Sequence, residues 1–577
     1  MRTMKNKSLL IIASFITIFC ACQDDFLQMP LSNSTTADSV FSTTVKAQGA
    51  IANAYKRILS QGLPYKNDWN AMIQDNLSGA LNYGFGWTLS KDIVLNGMSA
   101  SGMSEDMDGF NNNFPPIRQA YQVKENIDRV KDMPDNDKAI VKAEMQALIA
   151  YRYEQMLIIW GGVPVVSKSF QANENLAVPR SPLKDVVDSV VTWCDQAASV
   201  LPSKWADNWS GRMTKAAALA IKSKVLLYAA RPLFNNANPY IDFGANNNLI
   251  YLGGYDANRW DAAAKAAEAV ILEAETNGGA SIINTGNPLD DYGNATSKPG
   301  NPEVLLAYKF INNTLFDSGN WNNLPMNAFY NSRVWEAQGN VLTSNYLQNY
   351  YKQDGTEQVW PNTSTTLSFS DYTSKMNQME ARFKASFQPW EMDAWTNPGD
   401  VNWRNQSTFG NGPGYGVARI TKFYYKAGSR AWFEFPIFRL AAAYLSAAEA
   451  FNETGQVQKA LDRLNMIRRR AGLPNVTETD KDKLRTIIQR EWAVEFFNEN
   501  YRLHDVKHWK LANIGNGIIG GQIKSFAFNN NTTVKLTGNS NYTDKVIYQA
   551  FWSPNQFLNP FPQNEVNKGV IIQNPKY

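Results

Sequence analysis

Cysteine is almost missing from this sequence of 577 residues, which contains only Cys20, Cys22 and Cys194. Cys20 falls in the N-terminal leader and Cys22 is the residue expected to be lipidated, so Cys194 has no partner for an intrachain disulfide. Cys194 lies in the apolar, helix-periodic segment 186–200, where a lone cysteine usually serves as a small core residue. The fold is therefore expected to depend on packing rather than on cross-links.

Histidine is equally scarce, and no cofactor motif is present. His504 and His508 are the only two histidines, and their i, i+4 spacing on a predicted helix would suit zinc. No Glu follows the first of them and no third ligand is evident, so no metal site is predicted. The sequence also lacks a phosphate-binding loop and a nucleophile elbow. Neither a cofactor nor a catalytic residue is predicted.

Charge of one sign and long apolar runs are lacking as well. The net charge is only +4, and Arg2, Lys5 and Lys7 stand at the very start of the chain. This balance leaves no basic surface of the kind that nucleic-acid binding requires. Beyond the N-terminus, no apolar run reaches the ~18 residues of a membrane-spanning helix. The protein is therefore expected neither to bind nucleic acid nor to span a membrane.

The N-terminus has the form of a lipoprotein signal. Basic residues precede the apolar run 9–19, and a small residue stands directly before Cys22. This order is typical of a secretory signal peptide, which we predict over residues 1–21. Cys22 would then be the acylated first residue of the mature protein, and the pair Asp24 and Asp25 resembles the surface-export signal of Bacteroidetes lipoproteins. An uncleaved signal anchor is the alternative.

Helical periodicity dominates both ends of the mature sequence. It predicts an N-terminal helical part over residues 22–280, with binding loops near 65–115. Residues 281–430 are rich in Asn, Gly, Ser, Thr and aromatics, which indicates a loop-rich lobe with few short strands. Over 431–577 small residues face aromatics across Gly-containing turns, as in tetratricopeptide repeats. The predicted helices span 38–59, 137–160, 181–201, 214–231, 261–276, 438–454, 456–471, 480–497 and 504–512, and the predicted strands span 304–310 and 418–425.

Four separated stretches form a recognisable set. They are Cys22 to Pro30; Ala147, Tyr151 and Tyr153 leading to Trp160, Gly161, Gly162, Val163 and Pro164; Phe438, Arg439 and Leu440 with Asn465, Arg468, Arg470 and Gly472; and Glu491, Glu495, Glu499, Arg502, Asp505 and Trp509 with the tail from Asn559. As a set, they resemble the SusD-like (RagB/SusD) family of outer-membrane lipoproteins. One departure is Asn500, which stands where the family usually has glycine.

The resemblance implies a fold, a location and partners. The fold would be mostly α, a tetratricopeptide-like helical superhelix packed against an irregular loop-rich lobe. Members of the family bind glycans at the cell surface and cover a TonB-dependent, SusC-like transporter. The expected partners are that transporter, a glycan, and outer-membrane lipid through the acylated Cys22. Because some members are thought to serve peptide uptake, an oligopeptide ligand remains the alternative.

Tryptophans beside amide and acidic residues are the candidate glycan contacts. A sugar ring offers an apolar C–H face to an aromatic ring and a rim of hydroxyls to polar side chains. The alternative for each tryptophan is packing between loops and helices. The resemblance raises Trp87 and Trp321 above the others, because the family builds its glycan site from loops in these two regions. The full set of candidates is Trp87, Trp321, Asp68, Trp69, Asp75, Tyr83, Arg382, Trp390 and Trp395.

An exported glycoside hydrolase is the rival function. Such enzymes use a pair of carboxylates, and carboxylates are plentiful in this sequence, yet none falls in a recognisable motif. The leading prediction is therefore a non-catalytic, surface-facing glycan-binding lipoprotein of the outer membrane.

Overall fold

The computed structural model describes residues 37–60, 63, 74–82, 89–102, 109–171, 173–310, 341–393, 395, 416–423, 425–426, 432–512, 518–529, 536 and 538–577. The helices are α1 (Ala37–Val40), α2 (Thr44–Ser60), α3 (Gln74–Leu77), α4 (Leu89–Asn96), α5 (Phe114–Asn126), α6 (Asp135–Trp160), α7 (Leu183–Ala198), α8 (Lys215–Ala230), α9 (Asn258–Thr276), α10 (Pro288–Ser297), α11 (Ser344–Leu347), α12 (Phe369–Gln378), α13 (Ala381–Ser386), α14 (Leu440–Glu453), α15 (Val457–Arg470), α16 (Lys481–Glu495), α17 (Arg502–His508) and α18 (Gln563–Val566). The strands are β1 (Val304–Lys309), β2 (Thr366–Ser368), β3 (Phe387–Pro389), β4 (Ala418–Ile420), β5 (Glu434–Arg439), β6 (Gly521–Phe528) and β7 (Asn541–Ala550).

Helix α6 runs through the middle of the N-terminal part. Asp135 and Asp137 lie in its first turn, where their negative charge suits the positive end of the helix dipole. Gly161 ends the helix with a φ of 79°, and a β-carbon there would lie 2.7 Å from the carbonyl oxygen of Leu249. Every side chain from Ala143 to Trp160 is buried, so other helices must cover α6 on all sides.

Those covering helices form the predicted superhelix. Successive helices pack side by side in the order α6, α7, α8 and α9; α9 then packs on α14, and α14 packs on both α15 and α16. Alanine-rich faces of α8 and α14 let the backbones approach closely. The prediction of a mostly α, tetratricopeptide-like architecture with a loop-rich lobe is confirmed. Among the described helices, none is long and apolar enough to cross a membrane.

Three small antiparallel sheets accompany the helices. β1 pairs with β5, which places Lys309 opposite Glu434. β3 pairs with β4, and the third sheet has the order β2–β7–β6. The strand predicted over 418–425 ends at Ile420. The β6–β7 hairpin was not predicted, because β6 is buried on both faces along its second half and so shows no strict alternation.

Two local departures from the sequence predictions have simple causes. The single helix predicted over 38–59 is broken between α1 and α2, where the Ser42 hydroxyl donates to the carbonyl of Ser39 at 2.9 Å. Such a side-chain bond to the nearby backbone competes with helical pairing. Asn500 has a φ of 66°, in the left-handed region that glycine favours and asparagine tolerates. This backbone conformation accounts for a position where glycine and asparagine exchange.

Candidate functional site

Six of the predicted site residues lie outside the described residues. They are Cys22, Asp68, Trp69, Tyr83, Trp87 and Trp321. What the structure describes is the scaffold from which the corresponding chain segments start and to which they return. The remaining four candidates, Asp75, Arg382, Trp390 and Trp395, all belong to that scaffold.

The described ends of the two predicted binding segments are bonded to each other. The backbone N–H of Asn82, directly before Tyr83, donates to the carbonyl of Val341 at 2.9 Å. The N–H of Thr343 donates to the carbonyl of Ala80 at 3.1 Å, and its hydroxyl donates to Gly79 at 2.7 Å. Residue 341 is the first described residue after Trp321. The scaffold therefore brings together the chain before Trp87 and the chain after Trp321.

A third segment returns to the same place. Leu342 donates its N–H to the carbonyl of Ala418 at 3.1 Å and accepts from Val417 at 3.0 Å. Trp390 lies beneath this junction with 1% of its surface exposed, and its indole N–H donates to the carbonyl of Gly416 at 3.0 Å. The ring is therefore a packing element of the junction. In this structure Trp390 presents no stacking face to a ligand, contrary to the expectation from its sequence surroundings.

Asp75 is also buried, at 3% exposure. Its carboxylate accepts the backbone N–H of Asn498 at 2.7 Å, which ties α3 to the segment between α16 and α17. Burial raises the pKa of Asp75 to about 6, although the Asn498 N–H and the charges of Lys422 and Arg502 pull it down. Asp75 therefore supports the start of the binding segment from inside and does not line its surface.

Arg382 has no exposed surface at all. Its guanidinium donates to Glu380 at 2.8 Å from Nε and to Glu491 from Nη1, and Glu495 lies 3.4 Å from Nη1. Burial opposes the charge, but these three carboxylates outweigh it and hold the pKa of Arg382 well above its ordinary value. A guanidinium so enclosed cannot reach a sugar hydroxyl. Its role in this structure is to join α13 to α16.

Arg382 belongs to a larger buried layer of paired charges. Arg439 bonds both Glu495 and Glu499, and Arg470 bonds Glu303 at 2.9 Å as well as Glu495. Burial alone would raise the pKa of Glu495, but the arginines around it hold that pKa below its usual range. Members of this layer come from α13, β5, α15 and α16. The acidic and basic residues that carry the family resemblance are thus largely structural.

Trp395 is the one described candidate with part of its surface exposed. It is half-buried against the core, with its ring centroid 6.4 Å from that of Phe383 and 5.6 Å from Lys384 Nζ. It therefore keeps a free portion of ring for a ligand. Two tryptophans outside the predicted set, Trp209 and Trp432, are more exposed. Trp209 follows Asp207 and Asn208, so it also has acidic and amide neighbours, like the predicted tryptophans. This pattern could have identified Trp209 as a candidate.

Metal ligands are not assembled in the part of the chain that the structure describes. No group of three or more His, Cys, Asp or Glu side chains is placed to hold an ion there. His504 and His508 are buried in α17, and one ring nitrogen of His508 lies 3.0 Å from the carbonyl of Ile158. Burial lowers the pKa of both histidines, so they pack in α17 as neutral rings.

Comparisons with known proteins agree over nearly the whole chain. The profile described as "SusD family" matches residues 302–577, and the profile described as "Starch-binding associating with outer membrane" matches residues 32–227. A SusD-like protein of Formosa agariphila is 22% identical over 530 residues, covering 88% of this chain and 92% of that protein. A SusD-like protein of Bacteroides ovatus is 27% identical over 260 residues, 41% of each chain.

Solved structures share the fold. A SusD-like protein from Bacteroides fragilis superposes with a TM-score of 0.70 at 21% identity, covering 94% of this chain and 98% of that one. A laminarin-binding SusD-like protein superposes with a TM-score of 0.56 at 16% identity, covering 93% and 100%. Two profiles of this family match residues 32–227 and 302–577, and the shared fold covers 94% of the chain. The chain therefore belongs to the SusD-like (SusD/RagB) family.

Proposed function

We propose that this protein is a non-catalytic, cell-surface lipoprotein that captures a glycan and passes it to a TonB-dependent, SusC-like transporter. Membership of a family described as starch-binding and associated with the outer membrane supports the ligand class and the location. The name of the laminarin-binding neighbour supports a carbohydrate as well. Cys22 supplies the lipid anchor in this proposal.

The observation that carries the binding site is the junction at residues 79–82, 341–343 and 416–418. Backbone hydrogen bonds join these three stretches, and the segments with the predicted tryptophans begin or end there. Trp87 lies five positions beyond Asn82, which limits its Cα to about 18 Å from that residue. We place the glycan site above the junction, with Trp87 and Trp321 as its stacking rings and Asp68, Trp69 and Tyr83 at its edge.

The test is a double variant, Trp87→Ala with Trp321→Ala, in affinity electrophoresis through starch, inulin, xylan and laminarin. We expect loss of retardation with an unchanged melting temperature, because under this proposal the two rings contribute to ligand binding and not to folding. Tyr255→Ala removes an exposed aromatic that was not predicted to bind and serves as the matched control. Unchanged retardation of the double variant would move the site elsewhere.

The same material separates the rival functions. Wild-type protein incubated with each polysaccharide should bind without releasing reducing ends, whereas a glycoside hydrolase would release them. If a mixed pool of oligopeptides displaces the bound glycan, the result favours peptide capture instead. In both assays, the variant that lacks Trp87 and Trp321 is measured in parallel and gives the background signal.

The anchor and its orientation have their own test. Cys22→Ala should prevent acylation, while Asp24→Ala with Asp25→Ala should leave the protein lipidated but facing inward. Protease treatment of intact cells cleaves only a surface-facing protein, so the wild type should be cleaved and the inward-facing Asp24→Ala, Asp25→Ala variant protected. A wild-type protein that resists the protease in intact cells and is cleaved after lysis would contradict the surface location.

A further inference from the structure

Two exposed tryptophans lie near the Lys309–Glu434 end of the β1–β5 sheet. Trp209 is 39% exposed and Trp432 is 43% exposed. Lys309 connects them, because its Nζ lies 3.2 Å from Ser210 Oγ, next to Trp209, and 3.0 Å from Oε1 of Glu434. Trp432 donates its indole N–H to the same carboxylate oxygen at 3.2 Å. The Trp432 indole and Ser210, the residue after Trp209, therefore both contact the Lys309–Glu434 ion pair.

Trp209 lies against Arg212, which is paired with a buried carboxylate. The guanidinium carbon of Arg212 lies 5.2 Å from the centroid of Trp209 and 4.0 Å from that of Trp205. Arg212 bonds both oxygens of Glu144, whose side chain has no exposed surface. The hydroxyl of Tyr55 donates to Glu144 at 2.6 Å. An exposed ring fixed in this way loses little conformational entropy when a ligand stacks on it.

The ion pair between the tryptophans is fixed as well. Glu434 is 5% exposed, and its second oxygen accepts the N–H of Gly300 at 2.9 Å. Gly211, with a φ of 96°, leaves room for the stem of Lys309, since a β-carbon there would come within 2.5 Å of Lys309 Cε. The polar groups of this ion pair are thus positioned before any ligand arrives.

The chemistry of this surface suits a neutral carbohydrate. Indole faces match the C–H faces of sugar rings, while Asp207, Asn208 and Lys309 offer acceptors and donors for hydroxyls. Arg212 and Lys309 are each paired with a carboxylate, so the surface has little uncompensated positive charge for an anionic ligand. Two separate rings with polar groups between them also differ from the continuous apolar core of a protein interface.

We propose that Trp209 and Trp432 form a second sugar-binding surface that takes a neutral polysaccharide chain. The inference rests on the proposed glycan binding, but it uses residues other than those proposed for the main site. A second weak surface raises the affinity for a long chain through effective concentration, and it adds nothing for an oligosaccharide too short to reach both sites. Polymer and short oligosaccharide should therefore respond differently to its loss.

The test uses the mature chain carrying Cys22→Ala, so that it is made without lipid. Two probes are used. The first is the polysaccharide that the wild-type protein binds among starch, inulin, xylan and laminarin, and the second is a trisaccharide of the same sugar and linkage. In Trp209→Ala with Trp432→Ala, we expect polymer affinity to fall about 2- to 12-fold for each lost stack. Trisaccharide affinity should stay unchanged. Tyr255→Ala is the control for an exposed aromatic elsewhere, and Trp209→Phe with Trp432→Phe, which keeps rings at both positions, should restore much of the polymer affinity.

Direct contact is read by ¹⁹F NMR of protein containing 5-fluorotryptophan. The two signals that vanish in Trp209→Phe and in Trp432→Phe identify these rings. Both signals should shift on addition of the polymer, also in the background that lacks Trp87 and Trp321. Unshifted signals, or an unchanged polymer affinity in the folded double variant, would overturn the proposal and leave the main site standing.

Two further outcomes are informative. If the double variant keeps its polymer affinity but no longer co-purifies with its transporter, the surface is a protein interface and the proposal is wrong. If the wild-type protein binds none of the polysaccharides, the proposed glycan function fails, and this inference fails with it. The second result differs from the first because it is seen before any substitution is made.

Discussion

Trp390 and Trp432 show how differently the molecule uses one side chain. Trp390 is buried, and its N–H bonds a backbone carbonyl at the junction of three segments. Trp432 is 43% exposed, and its N–H bonds a carboxylate at the surface. Both stand in aromatic-rich sequence with charged residues within a few positions. Local composition therefore detects that a tryptophan is unusual, whereas its partners in space decide whether it packs or is free to bind.

Arg382 and Arg212 give the same comparison for arginine. Arg382 lies wholly inside, among three carboxylates. Arg212 is partly exposed and places one face of its guanidinium against indole rings while its nitrogens bond Glu144. The first holds two helices together, and the second supports a surface ring. Substitutions at these two kinds of position should separate stability from ligand affinity.

The largest effect is expected from Arg382→Ala. Removing one member of a buried network leaves its carboxylates unpaired, which should lower the free energy of unfolding by about 3–5 kcal/mol. The control is Arg463→Ala, whose pair with Glu268 is about one-third exposed and should contribute no more than about 1 kcal/mol. Urea unfolding at pH 7.5 measures both. A mild effect of Arg382→Ala combined with lost glycan binding would return Arg382 to the candidate site.

Trp390→Ala should be almost as costly, at about 3–5 kcal/mol, because it leaves a cavity and an unpaired carbonyl at Gly416. Trp432→Ala should cost less than about 1 kcal/mol, since much of that ring is already in water. Thermal unfolding of the two variants side by side makes the comparison directly. Equal costs would mean that Trp432 packs as tightly as Trp390 and that the exposed surface is not free.

A smaller effect is expected from overpacking the helical pair α14–α15. Ala447 and Ala460 are both fully buried, so Ala447→Phe or Ala460→Phe should force the helices apart and cost about 1–3 kcal/mol. Gln458→Phe, at an exposed position of α15, is the matched control and should change little. If neither buried substitution lowers the urea midpoint, the two alanines do not set the approach of these helices.

The fold was predictable where its signals are local. Helix ends and apolar spacing depend on residues only a few positions apart. Gly161 after α6 and Gly472 after α15 therefore mark the ends of their helices correctly. The buried layer was not predictable, because Arg382 and Glu491 are 109 residues apart. Nothing near Arg382 in the sequence reports that partner. Because these partners are distant in sequence, Arg382 was interpreted from its neighbours Trp390 and Trp395 as a glycan contact.

For the candidate site, the binding segments that hold Trp87 and Trp321 stay a prediction. The described residues at their ends, Asn82 and Val341, are hydrogen-bonded to each other. Within the described part, however, Asp75, Arg382 and Trp390 are buried, because long-range contacts enclose them. Trp209 was not predicted, because all the candidates came from residues 68–87 and from the loop-rich lobe over 281–430.

The smallest effect concerns the pH dependence of stability at Asp75. Its pKa is about 6 in the folded protein and near 3.8 when unfolded, so between these values the folded state holds a proton that the unfolded state releases. Stability therefore falls as the pH rises through this window, and the full penalty is present above pH 6. Asp75→Asn removes the charge but keeps an oxygen to accept the Asn498 N–H. A shift of this size corresponds to about 3 kcal/mol, but the buried amide has a desolvation cost of its own. We therefore expect the variant to be more stable by about 1–2 kcal/mol at pH 7.5, with the difference vanishing near pH 4.

Urea unfolding of wild type and Asp75→Asn at pH 4, 5, 6 and 7.5 measures this difference. Asp75→Ala is the control, because it removes the acceptor of the buried Asn498 N–H together with the charge and should destabilise at every pH by about 1–3 kcal/mol. A difference between wild type and Asp75→Asn that stays constant with pH would mean that Asp75 is not titrating inside the fold. It would then be in contact with water, and its carboxylate would again be available to a ligand, as the sequence first suggested.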